Sequence, residues 1–237
     1  MTIYLYSGTP GSGKSYHATD DMRLSLLRGR KPIICNYDIR HDFKNYDNMY
    51  HYMPNDKLDP DYLVEFAEEW WDGRPFKEDS IILVIDECQL LFNSREWNNP
   101  RRMAWLQFFS QHRHYGYKVI FIAQSDKMVD RQFRALLEYD VIHRKLANFG
   151  IAGKILSLVA LGRVFTAITK YYGASERVGV NFFVVRKRTT RLYDSYTTFK
   201  RLGDGARGSA GHRRKEEGPA RRGASAPSRV KVVPESS

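Results

Sequence analysis

Gly8-Thr9-Pro10-Gly11-Ser12-Gly13-Lys14-Ser15 satisfies every fixed position of the pattern G-x-x-x-x-G-K-[ST]. Just before it, Thr2-Ile3-Tyr4-Leu5-Tyr6 is β-branched and aromatic, which predicts a strand. Just after it, Ser15 to Leu27 holds no Pro or Gly and sets Tyr16, Ala18, Met22, Leu24 and Leu26 along a helix. Strand, glycine turn and helix form the setting in which such a loop wraps phosphate. The glycines let backbone amides turn inward, and the helix presents its positive end to the same anion. In that pattern Lys14 reaches the β- and γ-phosphates and the Ser15 hydroxyl takes Mg²⁺, so Gly8, Thr9, Pro10, Gly11, Ser12, Gly13, Lys14 and Ser15 form the predicted nucleotide site.

A second stretch supports the first. Ser80-Ile81-Ile82-Leu83-Val84-Ile85-Asp86-Glu87 is a run of five aliphatics ending in two acids. Such a run predicts a strand buried on both faces, as in a parallel sheet, with the acids at the carboxyl end where ligands bind. Asp86 is placed to hold Mg²⁺ opposite Ser15, and Glu87 to orient and deprotonate a water. Tyr117 to Ser125 predicts a further buried strand ending in the polar pair Gln124-Ser125. Gln124 is the candidate polar group near the γ-phosphate, as at the equivalent strand end of P-loop ATPases with an extra strand beside the acid-tipped one. Pro32 to Tyr37 predicts another strand, and its place after the first helix implies a parallel βαβ unit. Helices are expected over Tyr62 to Trp71, opened by Asp59-Pro60-Asp61, over Met103 to His112, and over Val129 to Leu137. Residues 38–60 read as a long loop with a short strand near Met49 to Met53.

The pattern changes after residue 140. Val141 to Leu146, Arg163 to Tyr172 and Val180 to Lys187 predict strands of an antiparallel kind. The fold expected is α/β: a P-loop NTPase parallel sheet flanked by helices, with a small β-rich C-terminal extension and a disordered basic tail. The expected division is a core over 1–140, an extension over 141–202 and a tail over 203–237. The tail has almost no large apolar residues and cannot offset the entropy of ordering. Residues 1–143 carry 18 Lys/Arg against 21 Asp/Glu, whereas 144–201 carry 12 against 2. The basic half therefore suits nucleic acid or anionic lipid. Residues 151–169 are apolar, but Lys154 and Arg163 interrupt them, so no membrane span is expected. That segment reads as a core hairpin or helix, or as an interfacial segment. Met1 leads straight into a strand, and no secretory signal is expected. Cys35 and Cys88 read as buried free thiols of a reducing compartment.

Taken together, IYLYSGTPGSGKSYHA, IILVIDECQ, HRHYG, VIFIAQS and RLYDSYTTF resemble the zonula occludens toxin family, which includes assembly ATPases of filamentous phages. The resemblance spans about residues 1–200. It implies a RecA/FtsK-like ATPase that uses ATP and Mg²⁺ to drive assembly and export of single-stranded phage DNA. It further implies a ring-forming homo-oligomer and assembly proteins of the host inner membrane as partners, at its cytoplasmic face. Mapped onto this chain, Lys14 and Ser15 hold phosphate and Mg²⁺, Asp86 is the metal-side acid, Glu87 the base and Gln124 the polar sensor. The ring-forming relatives use an Arg across a subunit boundary; Arg113 is the candidate here, followed by Arg95, Arg101 and Arg102. Phage-assembly members of the family also have a transmembrane helix after the ATPase domain, and no convincing span is read in this chain. Two other functional classes remain in view. One is a nucleotide-switched adaptor that binds DNA or membrane with little hydrolysis. The other is a nucleoside-kinase-like phosphotransferase, which the Asp86-Glu87 pair and Gln124 disfavour because they suit water as acceptor.

Overall fold

The computed structural model describes residues 2–28, 31–39, 49–93, 101–146, 164–174 and 176–192. The elements come in the order β1 (Ile3–Ser7), α1 (Lys14–Arg28), β2 (Ile33–Cys35), β3 (Tyr50–Tyr52), α2 (Pro60–Trp71), β4 (Ile81–Ile85), α3 (Arg101–Gln111), β5 (Tyr117–Ile122), α4 (Arg131–Arg134), β6 (Tyr139–Lys145), β7 (Val164–Tyr171), β8 (Arg177–Val184) and α5 (Lys187–Thr190). Among the described residues the strands form one eight-stranded sheet in the order β3-β2-β4-β5-β1-β6-β7-β8. Its first six members are parallel, and β7 and β8 add on antiparallel.

Both faces of the central strands are buried, which explains their lack of apolar–polar alternation. Ile81, Leu83 and Ile85 of β4 face a core shared with Leu63, Ala67, Trp105, Phe109 and Phe133. Ile82 and Val84 face the opposite core, with Ala18, Met22 and Leu26 of α1. The sheet thus lies between two helical layers. Aromatic rings fill much of the first core: Phe92 stacks on Phe133 at 4.4 Å between centroids and meets Phe109 edge-on at 5.5 Å.

Local signals set the helix limits. Asp59 caps α2 by accepting from the Asp61 amide at 2.9 Å, and Pro60 stands at the first position. The helix expected over Val129 to Leu137 is only a four-residue turn, because Asp130 caps the chain at Gln132 and Leu136 and Leu137 close in tighter turns. The βαβ expectation also needs refinement: β1 and β2 are parallel but not neighbours, since β4 and β5 lie between them. The boundary expected at 140/141 falls inside β6, which is a parallel partner of β1, with Ser7 level with Ile142. Of the apolar stretch 151–169, residues 164–169 belong to β7 and the rest lie outside the described residues, as do Arg95 and the tail over 203–237. Among the described residues no helix is long and apolar enough to cross a membrane. Cys35 and Cys88 are free and buried, and burial pushes both thiols up, Cys35 to about 12.

Candidate active site

The loop between β1 and α1 stands at the carboxyl ends of the parallel strands. Gly8, Gly11 and Gly13 all have positive φ, of 141°, 69° and 93°. At Gly8 a side chain is also excluded by space: a Cβ there would come closer than 3.0 Å to the His143 carbonyl oxygen and lie 2.8 Å from Ser12 Oγ. Gly13 instead backs onto Phe165 of β7 and Phe183 of β8, whose rings lie 3.2–3.3 Å from where a Cβ would stand. The antiparallel hairpin therefore forms one wall of the loop. Lys14 is buried, and its ammonium donates to the carbonyls of Gly8 at 2.7 Å and Thr9 at 3.3 Å. Burial lowers its pKa, and the charges of Asp86 and Glu87 act the other way.

Across β5, the tip of β4 meets the start of α1. Ser15 Oγ donates to Asp86 Oδ2 at 2.9 Å. Burial raises the Asp86 carboxyl to about 6; the Ser15 hydrogen bond opposes that shift and the Glu87 charge adds to it. The other Asp86 oxygen accepts from the Glu87 amide at 2.9 Å. That contact accompanies a left-handed Glu87 backbone, φ 49° and ψ 45°, a conformation a non-glycine residue adopts at a cost. The Glu87 carboxylate is held by the Gln89 side-chain amide. Gln124 lies just past the end of β5: its backbone carbonyl accepts from the Gly8 amide at 3.3 Å, and it lines a cleft of about 440 Å³ with Ser7, Thr9, Asp126, Asp140 and Arg144.

The structure thus gathers Gly8 to Ser15, Asp86, Glu87 and Gln124 at the carboxyl ends of the central strands. It does not bring Arg113 there. Arg113 follows α3, at the amino ends of the strands, and pairs with Glu138 at 2.6 Å. Arg102 is bound to Asp130 at 3.0 Å, and Arg101 lies 3.8 Å from Asp59.

Asn36, at the end of β2, is a site residue that sequence reasoning did not single out. Its side chain accepts from the Asp86 amide at 2.7 Å and donates to the Asp86 carbonyl at 2.8 Å and to Asn55 Oδ1 at 2.7 Å. It pins the backbone of the acidic tip from both sides. The available signal was a polar residue closing an apolar parallel strand, as Asp86 and Gln124 do. Replacing Asn36 by Ala leaves the Asp86 backbone groups without these partners and should cost about 2 kcal/mol. Urea unfolding measures this, and a change under about 0.5 kcal/mol would show the clamp to be idle.

Two histidines lie behind the loop. His143 Nδ1 faces the carbonyls of Val141 at 2.8 Å and Ser7 at 3.3 Å, so it carries the proton. Its Nε2 then accepts from His17 Nδ1 at 2.8 Å. Burial, reinforced by His17, lowers His143 to about 3. Above the ordinary imidazole value of about 6.5 the ring is neutral in both folded and unfolded chains. Between about 6.5 and 3 the unfolded chain binds a proton that the folded chain refuses, so stability falls with pH by up to about 1.4 kcal/mol per unit. Asp86 acts in the opposite sense below about 6, because protonation relieves its burial. The expected result is that His143→Gln flattens the decline in urea midpoint between pH 6 and 4.5 relative to the parent chain; parallel declines would refute the assignment.

The donors fit the ligands their pattern implies. Ser15 and Asp86 offer hard oxygens within 2.9 Å of each other, which suits Mg²⁺. Ser12 Oγ is buried without a hydrogen-bond partner among the described residues, inside a glycine-lined turn that suits phosphate.

The comparisons agree with this architecture. The Gene 1 protein of Enterobacteria phage I2-2 is 28% identical over 209 residues, which cover 84% of this chain and 56% of that protein. The chain therefore spans little more than half the length of that relative. A DnaB-like replicative helicase superposes with a TM-score of 0.52 at 12% identity, over 78% of this chain and 57% of that one. B204, the DNA-packaging ATPase of Sulfolobus turreted icosahedral virus, superposes with a TM-score of 0.50 at 15% identity, over 78% and 98%. These likenesses show a P-loop NTPase fold. The family model described as Zonular occludens toxin (Zot) matches residues 2–200, and the chain belongs to that family.

Proposed function

We propose that this chain is a Mg²⁺-dependent ATPase that powers assembly and export of single-stranded phage DNA, working as a ring at the cytoplasmic face of the host inner membrane. The observation that carries the hydrolytic reading is the 2.9 Å contact between Ser15 and Asp86, two groups of the kind that share Mg²⁺ in phosphoryl transfer. Membership of the Zot family and the similarity to a phage Gene 1 protein support the assembly role. Ser15 and Asp86 would hold Mg²⁺, which would supply neutralisation of the phosphate charge. The loop amides and Lys14 hold the phosphates, Glu87 takes a proton from the attacking water, and Gln124 orients the γ-phosphate side. Glu87 reaches that role by releasing Gln89. In a ring, Arg113 stands on the far end of the sheet from its own loop and would serve a neighbouring copy. Exposed Arg177, Arg186, Lys187 and Arg188 give the C-terminal half a basic surface for DNA or anionic lipid.

The adaptor reading draws on one observation, the engagement of Glu87 by Gln89. ATP turnover by the purified chain with and without single-stranded DNA, with its mass in solution, separates the two. A motor speeds up on the strand and forms a multi-copy species. ATP binding without turnover, with or without DNA, would replace the motor by the adaptor.

A further inference from the structure

We propose that Lys145 is a second cation of the nucleotide site, supplied within the same chain by the tip of β6 and contacting the phosphate chain. This rests on the nucleotide-binding reading above. The register of β6 on β1 sets Ser7 level with Ile142, so Lys145 lies three residues beyond the end of β1, beside the glycine loop. Val141 and His143 share its face of the strand. Val141 packs in the core of α1, and His143 bonds to His17 of that helix. Lys145 therefore projects on the side of the sheet that carries α1, while Arg144 turns to the other side and lines the cleft with Gln124.

Lys145 lies against Gly11. A Cβ at Gly11 would lie 3.5 Å from Lys145 Nζ and 3.8 Å from its Cε, so the lysine stem already runs along the open side of the loop. Lys145 is exposed and has no hydrogen bond or ion pair among the described residues. Its ammonium thus stays available, whereas Lys14 is engaged with Gly8 and Thr9. The charge balance at the loop favours a second cation as well. Asp86 and Glu87 both act on Lys14, so acids outnumber the one lysine of the loop before any phosphate arrives. A lysine suits this position because its three donors on a flexible stem can follow several phosphate oxygens.

The test is titration of ATP and ADP into the full chain by calorimetry, for the parent and for K14A, K145Q, K145R and the control K77Q. Lys77 is exposed and precedes β4 at the amino ends of the strands, far from the loop, and its replacement changes net charge by the same amount. The expected result is that K145Q weakens ATP and ADP binding by about tenfold, K145R restores most of it, and K77Q changes little. ATP affinity should also fall less steeply with added NaCl in K145Q than in the parent. If the parent binds ATP, K14A loses it, and K145Q stays within about twofold of the parent, Lys145 is no ligand and the nucleotide site stands without it. If the parent binds no ATP, the nucleotide-binding reading fails and this inference fails with it.

Discussion

Replacing Glu87 by Gln is expected to lower ATP turnover by about 10²–10⁴-fold while leaving ATP affinity within about threefold. The amide is nearly isosteric with the carboxylate and cannot accept the water proton. The left-handed backbone at Glu87 is held by the Asp86 carboxylate, not by the Glu87 side chain, so the substitution leaves the strand tip in place. Asp86 keeps Ser15 and Asn36 as partners. The proposed binding groups are therefore retained, and only the proposed proton acceptor is lost. Steady-state turnover with parallel calorimetric titration of ATP checks this. Turnover within about fivefold of the parent would remove Glu87 from the base role, and a collapse of affinity would show instead that it supports the loop.

Replacing Gly8 by Ala is the larger structural insult. Its φ of 141° lies where side chains are strained, and the new Cβ would collide with the His143 backbone and with Ser12. Strain and overpacking of this kind cost on the order of 3 kcal/mol together. In a chain of this size that lowers the melting temperature by roughly 6–12 °C. Relief would need β1 and β6 to part at Ser7 and Ile142 or the loop to swing outward, and a displaced loop no longer aims its amides at phosphate. ATP binding should fall below detection even where the variant folds. A variant with a melting temperature within about 2 °C of the parent and intact ATP affinity would show that the loop tolerates the side chain.

Much of this protein is written locally. The turn at Gly8 to Ser15, the aliphatic run Ile81 to Ile85 and the cap at Asp59 each depend on side chains a few residues apart, so they are legible in order along the chain. So is the alternation of strand and helix up to Tyr139, since a strand without apolar–polar alternation already implies cover on both faces. Other features depend on partners far away. Nothing local marks Asn36 as the clamp of Asp86, because its hydrogen bonds cross 50 residues. The shortness of α4 follows from turns that close at Leu136 and Leu137, which the apolar spacing of Phe133, Leu136 and Leu137 concealed.

By itself, then, the amino-acid order determined a phosphate-type loop, an acid-tipped buried strand and an α/β class, since each rests on short-range sterics and periodicity. Only the tertiary structure decided which strands touch. Inserting β5 between β1 and β4 sets Ser15 and Asp86, 71 residues apart, within 2.9 Å. Pairing β6 with β1 brings His143 beneath Gly8 and Lys145 beside Gly11, and the β7–β8 hairpin closes over Gly13. The reason is that neighbour choice within a sheet is set by how all the layers pack at once, and no single strand carries that information.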